Sequence, residues 1–210
     1  MTRTAYHEAL ERTRLDVLRM GALAEEAVRN SIAAMDRRDT ELARRVISGD
    51  DPLDDLRRKV EANCIELLWR QQPLASELRT IAAMLETIVD LERVGDYGVE
   101  IAKRAIAIAD MPMRPQNVEI TKMGTIAAEM LHDVVVAFSE QDAELAQSVI
   151  DRDDEVDIRY HNGIRALQAA MEEEPRMVPA ATQLLFTLSS VERIGDRAQN
   201  IAWHVKEMLV

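Results

Sequence analysis

Eight carboxylates stand out in this sequence because of their spacing. Glu92 and Asp96, Glu192 and Asp196, Asp50 and Asp54, and Asp153 and Asp157 each form a pair four residues apart. On a helix that spacing puts both acids on one face, one turn apart. Like charges so placed repel by roughly a few tenths of a kcal/mol, and partial burial raises the cost. Two such pairs brought face to face need a counter-charge: a bridging cation, a neighbouring Arg or Lys, or contact with water. The donor set is all oxygen, with no Cys or His recurring in the pattern. That set suits hard cations such as Mg²⁺, Ca²⁺, Mn²⁺ or ferric iron better than a structural Zn²⁺. A second reading of the same residues stays open. Arg93 and Arg193 are placed to pair with adjacent acids on a solvated face, and Asp50 or Asp51 can cap a helix that begins at Pro52.

The elements that must position these acids are helices. Ile81, Met84, Leu85, Ile88, Leu91, Gly95 and Val99 form one apolar stripe at helical spacing, with Glu92 and Asp96 on its edge. Leu184, Leu185, Leu188, Val191 and Gly195 repeat it, with Glu192 and Asp196 on the edge. A glycine in the middle of a helix costs about 1 kcal/mol relative to alanine. Gly95 and Gly195 therefore predict another helix at close approach, with the carboxylates facing it at short range.

The stripes belong to a larger repeat. Residues 20–51 match 123–154 at an offset of 103, with Asp39/Asp142, Glu41/Glu144, Leu42/Leu145, Val46/Val149 and Ile47/Ile150 identical. LERVGDYGVEIA from Leu91 matches VERIGDRAQNIA from Val191 at an offset of 100. Three residues are thus missing from the second copy between the two blocks, as a helix–helix connection tolerates. Each copy reads as three helices. In the first they run from about Thr4 to Met35, Thr40 to Trp69 and Ser76 to Ala109. In the second they run from about Gln116 to Phe138, Asp142 to Met171 and Pro179 to Leu209. Two prolines make 111–115 the linker between a first unit at 1–110 and a second at 116–210. The expected fold is all-α: two tandem, pseudo-symmetric three-helix bundles, six long helices in all. Pro52 lies inside the first Asp-x-x-x-Asp and is expected to kink or restart that helix, which bears on Asp50 as a ligand. Glu100 is matched by Asn200, so the two clusters are expected to differ in charge.

Composition narrows the function. Of 210 residues, 47% are apolar but only 3% aromatic, so the core must be built from Ala, Leu, Ile, Val and Met. The net charge of −12 repels phosphate backbones and acidic membrane surfaces, which argues against nucleic-acid binding. No run of about 18 apolar residues predicts a membrane span, and the N-terminus has no apolar signal segment. A cytoplasmic protein is expected. Cys64, the single cysteine, excludes an intrachain disulfide and reads as a small core residue. Ala-rich helix faces allow self-association, and a homodimer is expected.

Enzymatic readings find little support. Di-metal carboxylate enzymes on helical bundles need Glu-x-x-His on two helices. This chain has one match, Glu129 to His132, and its counterpart is Glu26 to Arg29. His7, His161 and His204 recur in no pattern, and His204 beside Trp203 reads as packing or surface. There is no Gly-rich phosphate loop and no Gly-x-Ser-x-Gly. What remains is a binding protein, loaded with metal or a metal-free helical scaffold.

The duplicated blocks carry a family resemblance. LERVGDYGVEIA, VERIGDRAQNIA, QQPLASELRTI at Gln71–Ile81 and the VISGDDPLDDL and VIDRDDEVDI segments resemble the PhoU family, the phosphate-transport accessory proteins. The resemblance covers essentially the whole chain. It implies two three-helix bundles and multinuclear metal clusters, iron in some members with Mn, Mg, Ca or Zn as further options. The clusters would be held at Asp50/Asp54, Glu92/Asp96, Asp153/Asp157 and Glu192/Asp196. It also implies a non-enzymatic repressor of phosphate uptake and of the phosphate-starvation response. Such a repressor contacts the ATP-binding subunit of a phosphate ABC transporter and a membrane sensor histidine kinase.

Overall fold

The computed structural model describes residues 2–70, 73–111, 115 and 118–210. The described residues form seven α-helices: α1 (Arg3–Arg37), α2 (Thr40–Ser48), α3 (Asp51–Arg70), α4 (Ala75–Ile108), α5 (Val118–Glu140), α6 (Ala143–Glu173) and α7 (Val178–Leu209). A 3₁₀ turn at Pro175–Met177 leads into α7. The described residues contain no strand.

The repeat is visible at the level of single caps. Arg38 and Gln141 both have φ of 56°, the left-handed conformation that ends the first helix of each copy. The next residue caps the second helix: Asp39 Oδ1 accepts from the Leu42 N–H, and Asp142 Oδ1 accepts from the Glu144 and Leu145 N–H groups, all at 2.9 Å. The Asp39/Asp142 identity is therefore a capping requirement.

The copies differ in the middle helix. In the second it is unbroken as α6, but in the first the expected single helix is two. Pro52 has no N–H to donate, and its ring opposes a helical carbonyl four residues back. Gly49 accordingly ends α2, and the Asp50 carbonyl starts α3 by accepting from Leu53 N–H at 3.0 Å. The three-residue difference falls in the opening of the third helix, since α7 starts about one turn nearer to Glu192 than α4 does to Glu92. The expected linker at 111–115 and the expected helix start at Gln116 lie largely outside the described residues, as do Gln71 and Gln72.

The four helices α1, α4, α7 and α5 pack as a ring of neighbours, with α2 and α3 against α1 and α4, and α6 against α5 and α7. One hydrophobic core runs through both copies, and Ala, Leu, Ile, Val and Met dominate it. The predicted stripes face inward: Ile81, Met84, Ile88, Leu91, Gly95 and Val99 are buried in α4, and Leu184, Leu188, Val191 and Gly195 in α7. Leu85 and Leu185 are half-buried at the stripe margin. Cys64 is fully buried, and burial pushes its thiol pKa up to about 12, so it is an inert core residue.

Candidate metal centres

Two glycines decide how close the acids come. A Cβ on Gly95 would collide with Leu53 and stand 3.5 Å from Asp50 Oδ1. A Cβ on Gly195 would stand 3.1 Å from Asp153 Oδ1 and 3.3 Å from Val156 Cγ1. The missing side chains let the middle helices approach α4 and α7 and seat Asp50 and Asp153 against them. Glu92, Asp96, Glu192 and Asp196 are half-buried at the edge of that contact, as the helical wheel predicts. Asp50 and Asp54 are both half-buried, whereas in the second pair Asp153 is buried and Asp157, one turn beyond it, is exposed.

The electrostatics show that each set is a group. Burial raises the pKa of Asp50, and the charges of Asp54, Asp96, Asp51 and Glu92 raise it further. Asp153 is pushed up to about 6, first by burial and then by Asp196, Asp157, Glu192 and Asp154. Glu192 and Asp196 are also raised by burial; Asp196 and Asp157 add to the shift on Glu192, and Asp157 to that on Asp196. Asp50 stays in its group despite Pro52, because the break places it at the start of α3 opposite Gly95.

The two sets are balanced differently. In the first, Arg93 lies 3.2 Å from Asp96 Oδ2 and 3.8 Å from Glu92 Oε2, the arginine pairing open from sequence. In the second, Arg193 lies over the Tyr97 ring, 5.9 Å from its centroid. Glu100 lies 3.2 Å from Arg104 and accepts from the Ser190 hydroxyl at 3.2 Å. A cleft of about 450 Å³ opens beside the first set, lined by Asp50 and Asp96 and by Arg93, Lys103, Arg193 and Arg197. Neither set, among the described residues, contains three ligand atoms all within 4.8 Å of one another.

The other histidines resolve in different ways. His132 pairs across to Glu25 at 3.1 Å, and both it and Glu129 are exposed, so Glu129-x-x-His132 is surface chemistry. His161 Nδ1 donates to the Asp157 carbonyl, 2.8 Å away, near the second set. The expectation for His204 needs correction. It is not idle packing: Nδ1 lies 3.1 Å from Glu86 Oε2, and Nε2 lies 3.0 Å from Asp90 Oδ2. Asp90 is buried and also holds Arg197 at 3.0 Å. Helical spacing from Thr87 and Val94 places Asp90 on a buried face, but its partners come from α7, a hundred residues away, and no sequence pattern signals them.

Fold and site together define a class: a duplicated helical bundle whose copies each oppose two carboxylate pairs across a glycine-mediated helix contact. A PhoU-domain model matches residues 17–105 and again 120–205. The phosphate-specific transport system accessory protein PhoU of Serratia marcescens is 37% identical over 196 residues, covering 93% of this chain and 81% of that protein. The PhoU homolog of Caulobacter vibrioides is 40% identical over 199 residues, covering 94% and 86%. The crystal structure of PhoU from Pseudomonas aeruginosa superposes with a TM-score of 0.94 at 35% identity, covering 97% of this chain and 98% of that one. The phosphate transport system regulatory protein PhoU from Streptococcus pneumoniae gives 0.91 at 25% identity. The chain belongs to the PhoU family, whose named members here are transport accessory and regulatory proteins rather than enzymes. Among the described residues, no helix is long and apolar enough to cross a membrane.

Proposed function

We propose that this chain is a metal-binding regulatory adaptor of phosphate transport. The observation that carries the reading is the helix contact at Gly95 and Gly195, which packs carboxylates of two helices together with their charges unbalanced. The donor set fits a hard cation, and iron or manganese suits several carboxylates at once. Asp153, Asp157, Glu192 and Asp196 would hold the metal in the second unit, 116–210. Asp50, Asp54, Glu92 and Asp96 would hold it in the first, 1–110, in competition with Arg93. Bound metal would tie the middle helix to the third in each unit and lower the negative charge of that face.

The relatives' names support a place beside a phosphate transporter. The partners are then its ATP-binding subunit and a membrane sensor histidine kinase, met in the cytoplasm by a homodimer. A net charge of −12 suits basic partner faces and gives no purchase for nucleic acid. Elemental analysis of untagged protein purified without chelator tests the metal. Stoichiometric metal that is lost in an Asp96→Ala, Asp196→Ala variant supports the reading. Equal metal content in both proteins, or unchanged repression of the phosphate response by the variant, overturns it.

A further inference from the structure

Glu86, His204 and Glu207 lie apart from both carboxylate sets, and each offers a ligand atom within 4.8 Å of the other two. Glu86 comes from α4, and His204 and Glu207 come from α7, one turn apart. We propose that these three side chains form a third metal site, for a first-row divalent transition ion such as Zn²⁺, clamping α4 of one copy to α7 of the other.

Four observations support it. The donors are one imidazole nitrogen and two carboxylates, a set that suits zinc and its neighbours rather than Ca²⁺ or Mg²⁺. The second ring nitrogen of His204 is held by Asp90, a buried carboxylate itself fixed by Arg197. A metal-ligating histidine commonly gives its other N–H to a carboxylate, which fixes the tautomer and raises ligand basicity. With Nε2 committed to Asp90, Nδ1 is the nitrogen left facing Glu86. Finally, the pseudo-symmetric place in the molecule lacks the whole set. There Phe186, Ser190, Arg104 and Ala107 stand where Glu86, Asp90, His204 and Glu207 stand here. Arg104 lies over the Phe186 ring at 5.6 Å and 3.5 Å from Ser190 Oγ, so that side is closed by packing and a fixed cation. The site is therefore a feature of one copy pairing and not a by-product of the repeat. Glu86 and Glu207 are exposed, so the ion reaches them from solvent without opening the bundle. With Nε2–H held by Asp90, the metal takes the Nδ1 lone pair of His204, and any proton on that nitrogen passes to water.

The test uses the full-length, untagged chain, stripped with chelator and desalted, in an Asp96→Ala, Asp196→Ala background that weakens the two carboxylate sets. Zn²⁺ is titrated calorimetrically at neutral pH. One equivalent is expected, lost in His204→Gln and weakened at least tenfold in Glu207→Gln. Glu207 is exposed, so its variant folds even if the His204 variant does not, and circular dichroism verifies both. Unchanged Zn²⁺ stoichiometry and affinity in folded Glu207→Gln and His204→Gln overturns the proposal. Because the readout follows Glu207 and His204, which belong to neither carboxylate set, failure here leaves those sets untouched, and their failure leaves this site standing.

Discussion

A Cβ on Gly195 would stand 3.1 Å from Asp153 Oδ1, so the absence of a side chain on α7 is what seats an acid of α6 against it. The glycine and the acid are a matched pair, repeated less tightly at Gly95 and Asp50.

Gly195→Val should therefore lower stability although it removes a mid-helix glycine. The helix gains a few tenths of a kcal/mol, but overpacking against Asp153 and Val156 costs about 1–3 kcal/mol. A fall in Tm of roughly 3–8 °C is expected by calorimetry. Metal uptake should fall with it, because α6 is pushed away from Glu192 and Asp196. A variant as stable as wild type would show that the contact is loose.

Asp196→Asn should act in opposite directions with and without metal. In chelator it removes one of the mutually repelling acids, and the protein should gain roughly 0.5–1 kcal/mol. With iron or manganese present, wild type should be stabilised by mass action, about 2.7 kcal/mol at a hundredfold excess over Kd, and the variant should not. Thermal melts of both proteins under both conditions read this crossover. A variant that is less stable in chelator would contradict the repulsion.

Glu77 predicts an acid-side loss of stability. Burial alone would raise its pKa, but the Leu74 N–H at 2.7 Å and Arg3 at 2.5 Å hold it below the usual carboxylate range. A depressed folded pKa contributes stability above the ordinary value near 4.5, lost as pH falls through the folded value. Glu77→Gln should cost about 1–2 kcal/mol at pH 7 and narrow the gap to wild type below about pH 4. Denaturant melts across pH check it; a gap independent of pH would assign the cost to packing.

Asp90 should be among the most costly acids to remove. Asp90→Ala leaves Arg197 and His204 without their buried carboxylate, and breaking such a pair costs about 3 kcal/mol. Restoring balance with Arg197→Met in the same chain should recover part of it. A double-mutant cycle by urea melts measures the coupling, and additive losses would show that the pair is independent.

The sequence alone determined the helices, their duplication and the carboxylate pairs, because these follow from local rules. Helical periodicity places Glu92 and Asp96 beside Leu91 and Gly95 whatever the rest of the chain does, and Asp39 and Asp142 can be read as repeated identities before their role as caps is seen. Pro52 announced the break between α2 and α3 because a missing N–H is a property of the residue itself. Tertiary structure decided which acid meets which. That Arg93 pairs with Asp96 and Glu92 of the first set while Arg193 turns to Tyr97 depends on how α4 and α7 cross, and that crossing is settled by packing over a core shared between the copies. The same crossing joins His204 to Glu86 and Asp90, residues more than a hundred positions away, and replaces them with Arg104, Phe186 and Ser190 at the equivalent place. Spacing within one helix cannot carry that information, since it lies in the shape of two helices pressed together.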